Sequence, residues 1–430
     1  MSNLPVPKDF PLPLPAPEGF LQFSLVLLFL LHILFVYLMV GGTFLALYYQ
    51  IRSLSDSRYD WLARKIAHTL TVNKSIAVVL GVGPLLVINS LYSTYFYAAN
   101  ALTGNAWMSL IPLIALAFLL IYLHKYSWDA LSSHRRLHIG LLSLAALIFV
   151  FVPLVFVTNV NLMLFPQSWM SVKGFWSAAQ LPSVAARYLH FICASMSASA
   201  LFMLWQLQKS DKGPFPLREN NFRFLSLLTF FLSVDVVIAI FTFMSSPLEG
   251  LSSSIVILLA CVLGFALSAL FLTSRSLLDA GETVKPPLKR VSALLILALA
   301  FYGALRHGYR ESALAKHKAL VSEKTQEFQK QVRIATLQAE RKERDAAFAG
   351  DPGEIAFKTN CAPCHAMNEK LVGPPVTEIV SIYGGRPEGI VAWAMNPGKK
   401  RPDYPSMPSM KHVGSEQLEA IARYLSSLKP

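Results

Sequence analysis

Phe20–Tyr49 reads FLQFSLVLLFLLHILFVYLMVGGTFLALYY, thirty residues without Asp, Glu, Lys or Arg. About 20 such residues suffice for a helix to cross a hydrocarbon core. The run is too long for the core of a secretory signal, and the Pro-rich stretch Leu4–Pro17 before it carries no basic region. It is expected to persist as a membrane helix. Working outward, comparable apolar segments recur at 76–99, 108–123, 139–157, 188–207, 224–244, 253–273 and 291–306, which brings the expectation to about eight spans. Only helices and closed barrels satisfy their backbone inside lipid, and segments of this length predict helices.

Composition agrees: 54% of residues are hydrophobic, 15% are charged and the mean hydropathy is +0.47, far more apolar than soluble proteins, where about a quarter of residues are charged. The net charge of +13 would suggest a nucleic-acid partner were the charges not sorted by loop. With the first span entering from outside, the inner loops hold sixteen Lys and Arg between Arg52 and Arg290, the outer loops only Lys173 and Arg187, and the tail Lys8. The positive-inside rule then places both termini outside the plasma (inner) membrane, the periplasm in a Gram-negative host. Lipid is the expected partner and nucleic acid is not. Asp235, in the middle of the sixth span, is costly in lipid and is either functional or paired inside the bundle.

The expected organisation is a tail at 1–19, a transmembrane domain at 20–307, a charged linker at 308–348 and a small domain at 349–430. The linker, rich in Ala, Glu, Gln, Lys and Arg with no Gly or Pro after Gly308, favours a helix. It reads as a solvated spacer or a docking helix.

In the last segment, Cys361-Ala-Pro-Cys364-His365 has the spacing of a c-type haem attachment sequence: two thiols bond the porphyrin vinyls and the adjacent imidazole reaches iron. A redox or zinc pair is the alternative reading of a Cys-x-x-Cys. Cys193 and Cys261, alone in apolar runs, read as small hydrophobes.

Together with the helix-forming Gly353–Asn360, the Gly373-Pro374 turn and a last helix at Glu416–Leu428 capped by Ser415, the segment resembles class I cytochrome c over about 80 residues. The resemblance implies a small α-helical domain with one covalent haem c on Cys361 and Cys364. It also implies iron ligated by His365 and by Met407 of the Met407-Pro408 pair, with Met410 and Met395 as competitors. A Met–His site raises the potential relative to two histidines and suits electron transfer.

Six further histidines, His32, His68, His124, His138, His190 and His307, lie in or beside apolar helices, where imidazoles can hold b-type haem. For each, an interfacial polar role is the alternative. Leu31-His-Ile-Leu-Phe-Val, Gly81-Val-Gly-Pro, Trp128-Asp129 and Pro182-Ser-Val-Ala-Ala-Arg-Tyr-Leu-His190, in that order, resemble subunit I of cytochrome bd-type quinol oxidases over about 20–310. The resemblance implies that His32 and His190 bind one or two b haems. Four features depart from it. The family's acidic residues of span three would fall near Ser109 and Ala117. Span seven offers no Met ligand, and the quinol loop shrinks to Pro247–Gly250. The acidic ligand of span eight is missing, with His307 as a substitute. These departures argue against oxygen reduction and weaken quinol oxidation.

The overall expectation is an all-α chain, a polytopic transmembrane bundle joined to a cytochrome c domain. It would be a respiratory electron-transfer subunit of an oxidoreductase complex, passing electrons between b haem and an outward-facing c haem. Quinone or other redox subunits are its candidate partners. A haem-free membrane anchor and a divergent terminal oxidase subunit are the alternatives.

Overall fold

The computed structural model describes residues 14–70, 74–181, 183–209, 213–245, 250–278, 286–348 and 350–428. Lys8, Pro182, Lys212, Pro247 to Glu249 and Lys285 lie outside the described residues. No strand occurs among those described. The chain divides into two compact units, Met1–Thr325 and Gln326–Pro430.

The first unit begins with α1 (Glu18–Arg52), the amphipathic α2 (Arg58–Leu70), α3 (Lys74–Leu91), α4 (Ser93–Thr103), the short α5 (Asn105–Met108), α6 (Leu110–Tyr126), α7 (Arg135–Met163) and the short α8 (Phe175–Ala179). Next come α9 (Val184–Gln208), α10 (Leu217–Met244), α11 (Ser253–Leu278) and α12 (Leu288–Phe348). Among the described residues seven helices are long and apolar enough to cross a membrane, or eight if the bent pair α3–α4 counts as one span. The chain is thus a multi-pass membrane protein by length and composition.

Two features differ from the sequence reading. The expected span 76–99 is not straight: it is bent by 112° between Val79–Leu91 and Ser93–Thr103. Pro84 lies well inside α3 and the break falls at Tyr92, whose φ of −131° and ψ of 36° leave the helical region. Tyr92 is 2% exposed, bonded through its hydroxyl to Glu311, and covered by the cations of Arg310 and Lys318. A tertiary anchor therefore sets the bend, where apolar pattern alone predicts a continuous rod. The second difference is α2, which the pattern leaves as an inner loop. It buries Leu62, Ala63, Ile66 and Ala67 against the bundle and presents its charges elsewhere.

Lipid tails are as apolar as Leu, so helices in a membrane associate through close packing of small residues rather than by escape from water. α1 and α9 meet in this way. A Cβ on Gly41 would fall 2.1 Å from the Ser195 carbonyl oxygen, and the Ser199 hydroxyl donates to the carbonyl oxygen of Tyr37 at 3.3 Å. Both positions would be blocked by a larger side chain.

α12 continues without a break past the eighth span into the charged segment, as the absence of Gly and Pro predicts. Its turns from Tyr309 to Lys318 are packed within the first unit: Lys318 pairs with Glu311 at 2.7 Å, and the Tyr95 hydroxyl meets His317 Nδ1 at 3.0 Å. From residue 329 to 345 every residue is exposed.

The second unit adds α13 (Pro352–Asn360), α14 (Val376–Tyr383), α15 (Pro387–Met395) and α16 (Ser415–Ser427). Asp351 caps α13 by accepting from the Gly353 amide at 2.8 Å, with Pro352 at the first position, where its missing N–H costs nothing. α13 crosses α16 so closely that a Cβ on Gly353 would meet the Ala420 carbonyl oxygen at 2.2 Å. Phe357, Leu418, Ile421 and Leu425 fill the crossing, each stabilising the domain by roughly 1.5–3 kcal/mol. Ser415 is not the cap of α16. Gly414 is, at φ 88°, a value that requires glycine, and Ser415 becomes the first helical residue.

Candidate functional site

In the second unit the chain leaves α13 directly into a tight turn. The amides of Cys364 and His365 both donate to the Cys361 carbonyl oxygen at 3.0 Å, which turns the two thiols and the imidazole toward one cavity of about 210 Å³. Cys361, Cys364, His365 and Met407 all line it, with Ile379, Ile382, Ile390, Leu418 and Leu425 among its apolar walls. Burial pushes the Cys361 thiol up to about 11, and the neighbouring Cys364 adds to the shift. Among the described residues no three His, Cys, Asp or Glu side chains converge as a metal cage, which leaves the zinc reading of the Cys pair without further ligands.

His365 is held by its outer nitrogen. Nδ1 donates to the Pro374 carbonyl oxygen at 2.8 Å, which fixes the tautomer and leaves Nε2 with its lone pair unprotonated. The Gly373-Pro374 turn therefore has a chemical role that its sequence reading did not contain. A Cβ on Gly373 would sit 2.3 Å from His365 Cε1, so only glycine lets the backbone come close enough to supply that acceptor.

The three methionines separate cleanly. Met407 faces the cavity; Met410 is 9% exposed in the core, its amide bonded to the Ala394 carbonyl oxygen at 2.9 Å; Met395 closes α15 and packs on the same core. The loop carrying Met407 is tied down by Arg401, which pairs with Asp403 at 2.9 Å and also with Glu378. That guanidinium holds the Asp403 carboxyl below its usual range, chiefly by hydrogen bonding.

In the membrane unit the histidines fall into two groups. On the inner side, by the charge-derived topology, His124 and His138 stack at 4.0 Å and are 1% and 4% exposed. Their protons are accounted for: Gln50 Nε2 donates to His138 Nδ1 at 2.7 Å, His138 Nε2 to the His124 carbonyl oxygen at 2.7 Å, and His124 Nε2 to Gln50 Oε1 at 3.0 Å. They converge on each other and on Gln50, with Trp128 against both rings, and His138 has no nitrogen left for iron. His68 is in the last turn of α2.

His32 and His190 are not brought face to face. The His32 ring lies against α3, where a Cβ on Gly81 would come within 2.8 Å of its Cε1, so Gly81 leaves the room that imidazole occupies, while Gly83 faces Leu28. His190 faces α10 and α12 instead: its Nδ1 is 2.8 Å from Asp235 Oδ1, and the Tyr302 ring lies 5.3 Å from its own. His307, one turn beyond Tyr302, has a buried Nδ1 without a hydrogen-bond partner among the described residues. The Ser109 hydroxyl donates to the Ala106 carbonyl oxygen, and Ala117 is fully buried.

Residues 351–429 match the family model for cytochrome c. The chain is also similar to cytochrome c-551 of Pseudomonas denitrificans, with 29% identity over 80 residues, which cover 18% of this chain and 98% of that protein.

Proposed function

Given a cytochrome c domain at the C-terminus and hence an electron-transfer haem protein, we propose that this chain passes electrons between b-type haem in its membrane bundle and a single haem c on Cys361 and Cys364. The observation that carries the c-haem half is the single apolar cavity wall shared by both thiols, His365 and Met407. Bound haem supplies a one-electron ferric/ferrous couple; the chain supplies its attachment, ligands and exclusion of water. Cys361 and Cys364 hold it covalently, His365 presents Nε2 because Nδ1 is spent on Pro374, and Met407 offers the thioether that favours the reduced state.

For the membrane half, the support is that His32 sits against Gly81 and His190 has Nδ1 beside a carboxylate with Nε2 unspent, whereas His124 and His138 are bonded to Gln50 and His138 also to the His124 carbonyl oxygen. His307, with its orphaned Nδ1, is the further ligand position. By the resemblance to subunit I of bd-type oxidases, quinone or a redox subunit is the exchange partner, and the charge asymmetry puts the c domain on the outer face of the plasma membrane. The absence of carboxylates at positions 109 and 117 disfavours oxygen reduction.

Pyridine haemochrome typing of the purified full-length protein tests this. The expected result is one c haem per chain with at least one b haem, the b-type absorbance being lost in His190→Ala or His32→Ala. Haem c alone would refute the b-haem reading and leave the bundle as an anchor.

A further inference from the structure

Asp235 is the only Asp or Glu within the apolar stretches from 20 to 306 that read as spans. A carboxylate there is expensive unless a partner compensates it. Its Oδ1 lies 2.8 Å from His190 Nδ1, an ion-pair contact that a small ring rotation would align into a hydrogen bond, and neither atom has a hydrogen-bond partner among the described residues. The two side chains come from different helices, α10 and α9, and are only 15% and 17% exposed. Tyr302 of α12 packs on the imidazole, and Tyr37 of α1 lies within electrostatic reach of both Tyr302 and Asp235. Side chains of α10 and α12 thus meet an imidazole of α9 whose Nδ1 faces a carboxylate and whose Nε2 has no hydrogen bond among the described residues.

A buried carboxylate–histidine pair kept for stability alone is poorly motivated, because apolar residues of the same volume usually serve as well or better. Metal-ligating histidines, by contrast, almost always place their second nitrogen on a carboxylate, a carbonyl or water, which fixes the tautomer and raises ligand basicity. The same device recurs in the other unit, where His365 Nδ1 is 2.8 Å from the Pro374 carbonyl oxygen. A full negative charge polarises the ring more than a neutral carbonyl does.

We propose that Asp235 is a positioning residue for His190: its carboxylate accepts the Nδ1 proton, directs Nε2 to the iron of a b-type haem and strengthens that ligand, favouring the ferric state. This rests on the b-haem reading above. A stronger donor stabilises the higher oxidation state, so neutralising Asp235 raises the b-haem potential while the c haem, with independent ligands, does not move.

The test is a potentiometric titration of the detergent-solubilised full-length protein, following b- and c-type absorbance in the wild type and in Asp235→Asn, Asp235→Glu and His190→Ala. Expected for Asp235→Asn is a roughly tenfold shift of the ferric/ferrous preference toward ferrous, about 59 mV upward for a one-electron couple, with altered low-spin electron paramagnetic resonance signals. Asp235→Glu should return toward the wild type, and the c-haem potential should be constant throughout. If Asp235→Asn loses b-type absorbance altogether, recovery in Asp235→Glu supports the positioning role and no recovery overturns it. An unchanged potential and unchanged resonance signals in Asp235→Asn, with b-type absorbance still abolished by His190→Ala, overturn the inference and leave the b-haem reading intact. Absence of b haem from the wild type, or its full retention in His190→Ala, removes the reading and the inference together.

Discussion

Gly373→Ala puts the haem-site geometry to a quantitative test. The added methyl would lie 2.3 Å from His365 Cε1, whereas ordinary contact begins near 3.4 Å, so the ring must retreat by the difference, about 1.1 Å. The imidazole cannot do this while keeping its 2.8 Å bond to the Pro374 carbonyl oxygen, because that acceptor belongs to the residue next to the substituted glycine. Overpacking costs about 1–3 kcal/mol and a lost hydrogen bond about 0.5–1.5 kcal/mol, together roughly 2–4 kcal/mol. For a domain of this size that lowers the melting temperature by roughly 8–30 °C. The assay is thermal loss of the haem circular-dichroism signal, with Gly398→Ala as the control: its Cβ would meet Trp393 at 3.3 Å, a clash relieved by a few tenths of an ångström. The variant should also lose the potential set by a well-seated His–Met pair. Equal melting of the two variants, with an unshifted potential, would refute the claim that His365 is held by the 373–374 backbone.

Cys361→Ala or Cys364→Ala should each abolish full haem staining on denaturing gels, since each thiol makes its own bond; full staining in both would reject the attachment assignment. Met407→His should lower the c-haem potential, because imidazole is the more basic ligand, whereas Met410→His should keep the Met–iron charge-transfer absorption and instead destabilise the domain by about 1–3 kcal/mol through burial of a polar ring. Gln50→Leu should orphan the inner histidine pair at a cost of about 1–3 kcal/mol per unpaired group while leaving all haem absorbance in place, and loss of b-type signal there would reassign those rings as ligands. Acid should loosen the Met407 loop: the Asp403 carboxyl is depressed by Arg401, so its contribution is complete above the ordinary Asp value of about 3.9 and vanishes as pH falls through the lower folded value. Arg401→Ala should abolish that acid limb in a pH titration of the Met–iron absorption, and an identical acid limb in the variant would exclude the pair.

The sequence makes the spans legible because hydrocarbon imposes one rule, an uncharged helical run, and that rule needs no partner to be recognised. It is silent on the break at Tyr92, because the cause lies some 200 residues away in Glu311 and the cations beside it. α2 escapes for the same reason: its four buried apolar residues are scattered among charges, and only the bundle they pack on identifies them as a face. In the c domain the covalent motif is local and was readable at once. The Pro374 carbonyl, a backbone atom, carries no residue-type signal at all; the glycine before it was the available clue.

The histidines show most directly what folding adds. The sequence sets His190 apart from His138, since it lies inside an apolar span in the stretch that resembles the oxidase subunit, but it shows no chemical reason for the difference. The division comes from counting ring nitrogens. His138 spends both, one as acceptor from Gln50 and one as donor to a carbonyl, so recruiting it to a metal would forfeit hydrogen bonds that nothing nearby replaces. His365 and His190 each set one nitrogen 2.8 Å from an oxygen and keep the other. Asp235 gains its meaning from the same count. Alone in the sixth span it is a costly charge; 2.8 Å from Nδ1 of His190, it has a compensating partner from another helix that the sequence does not reveal.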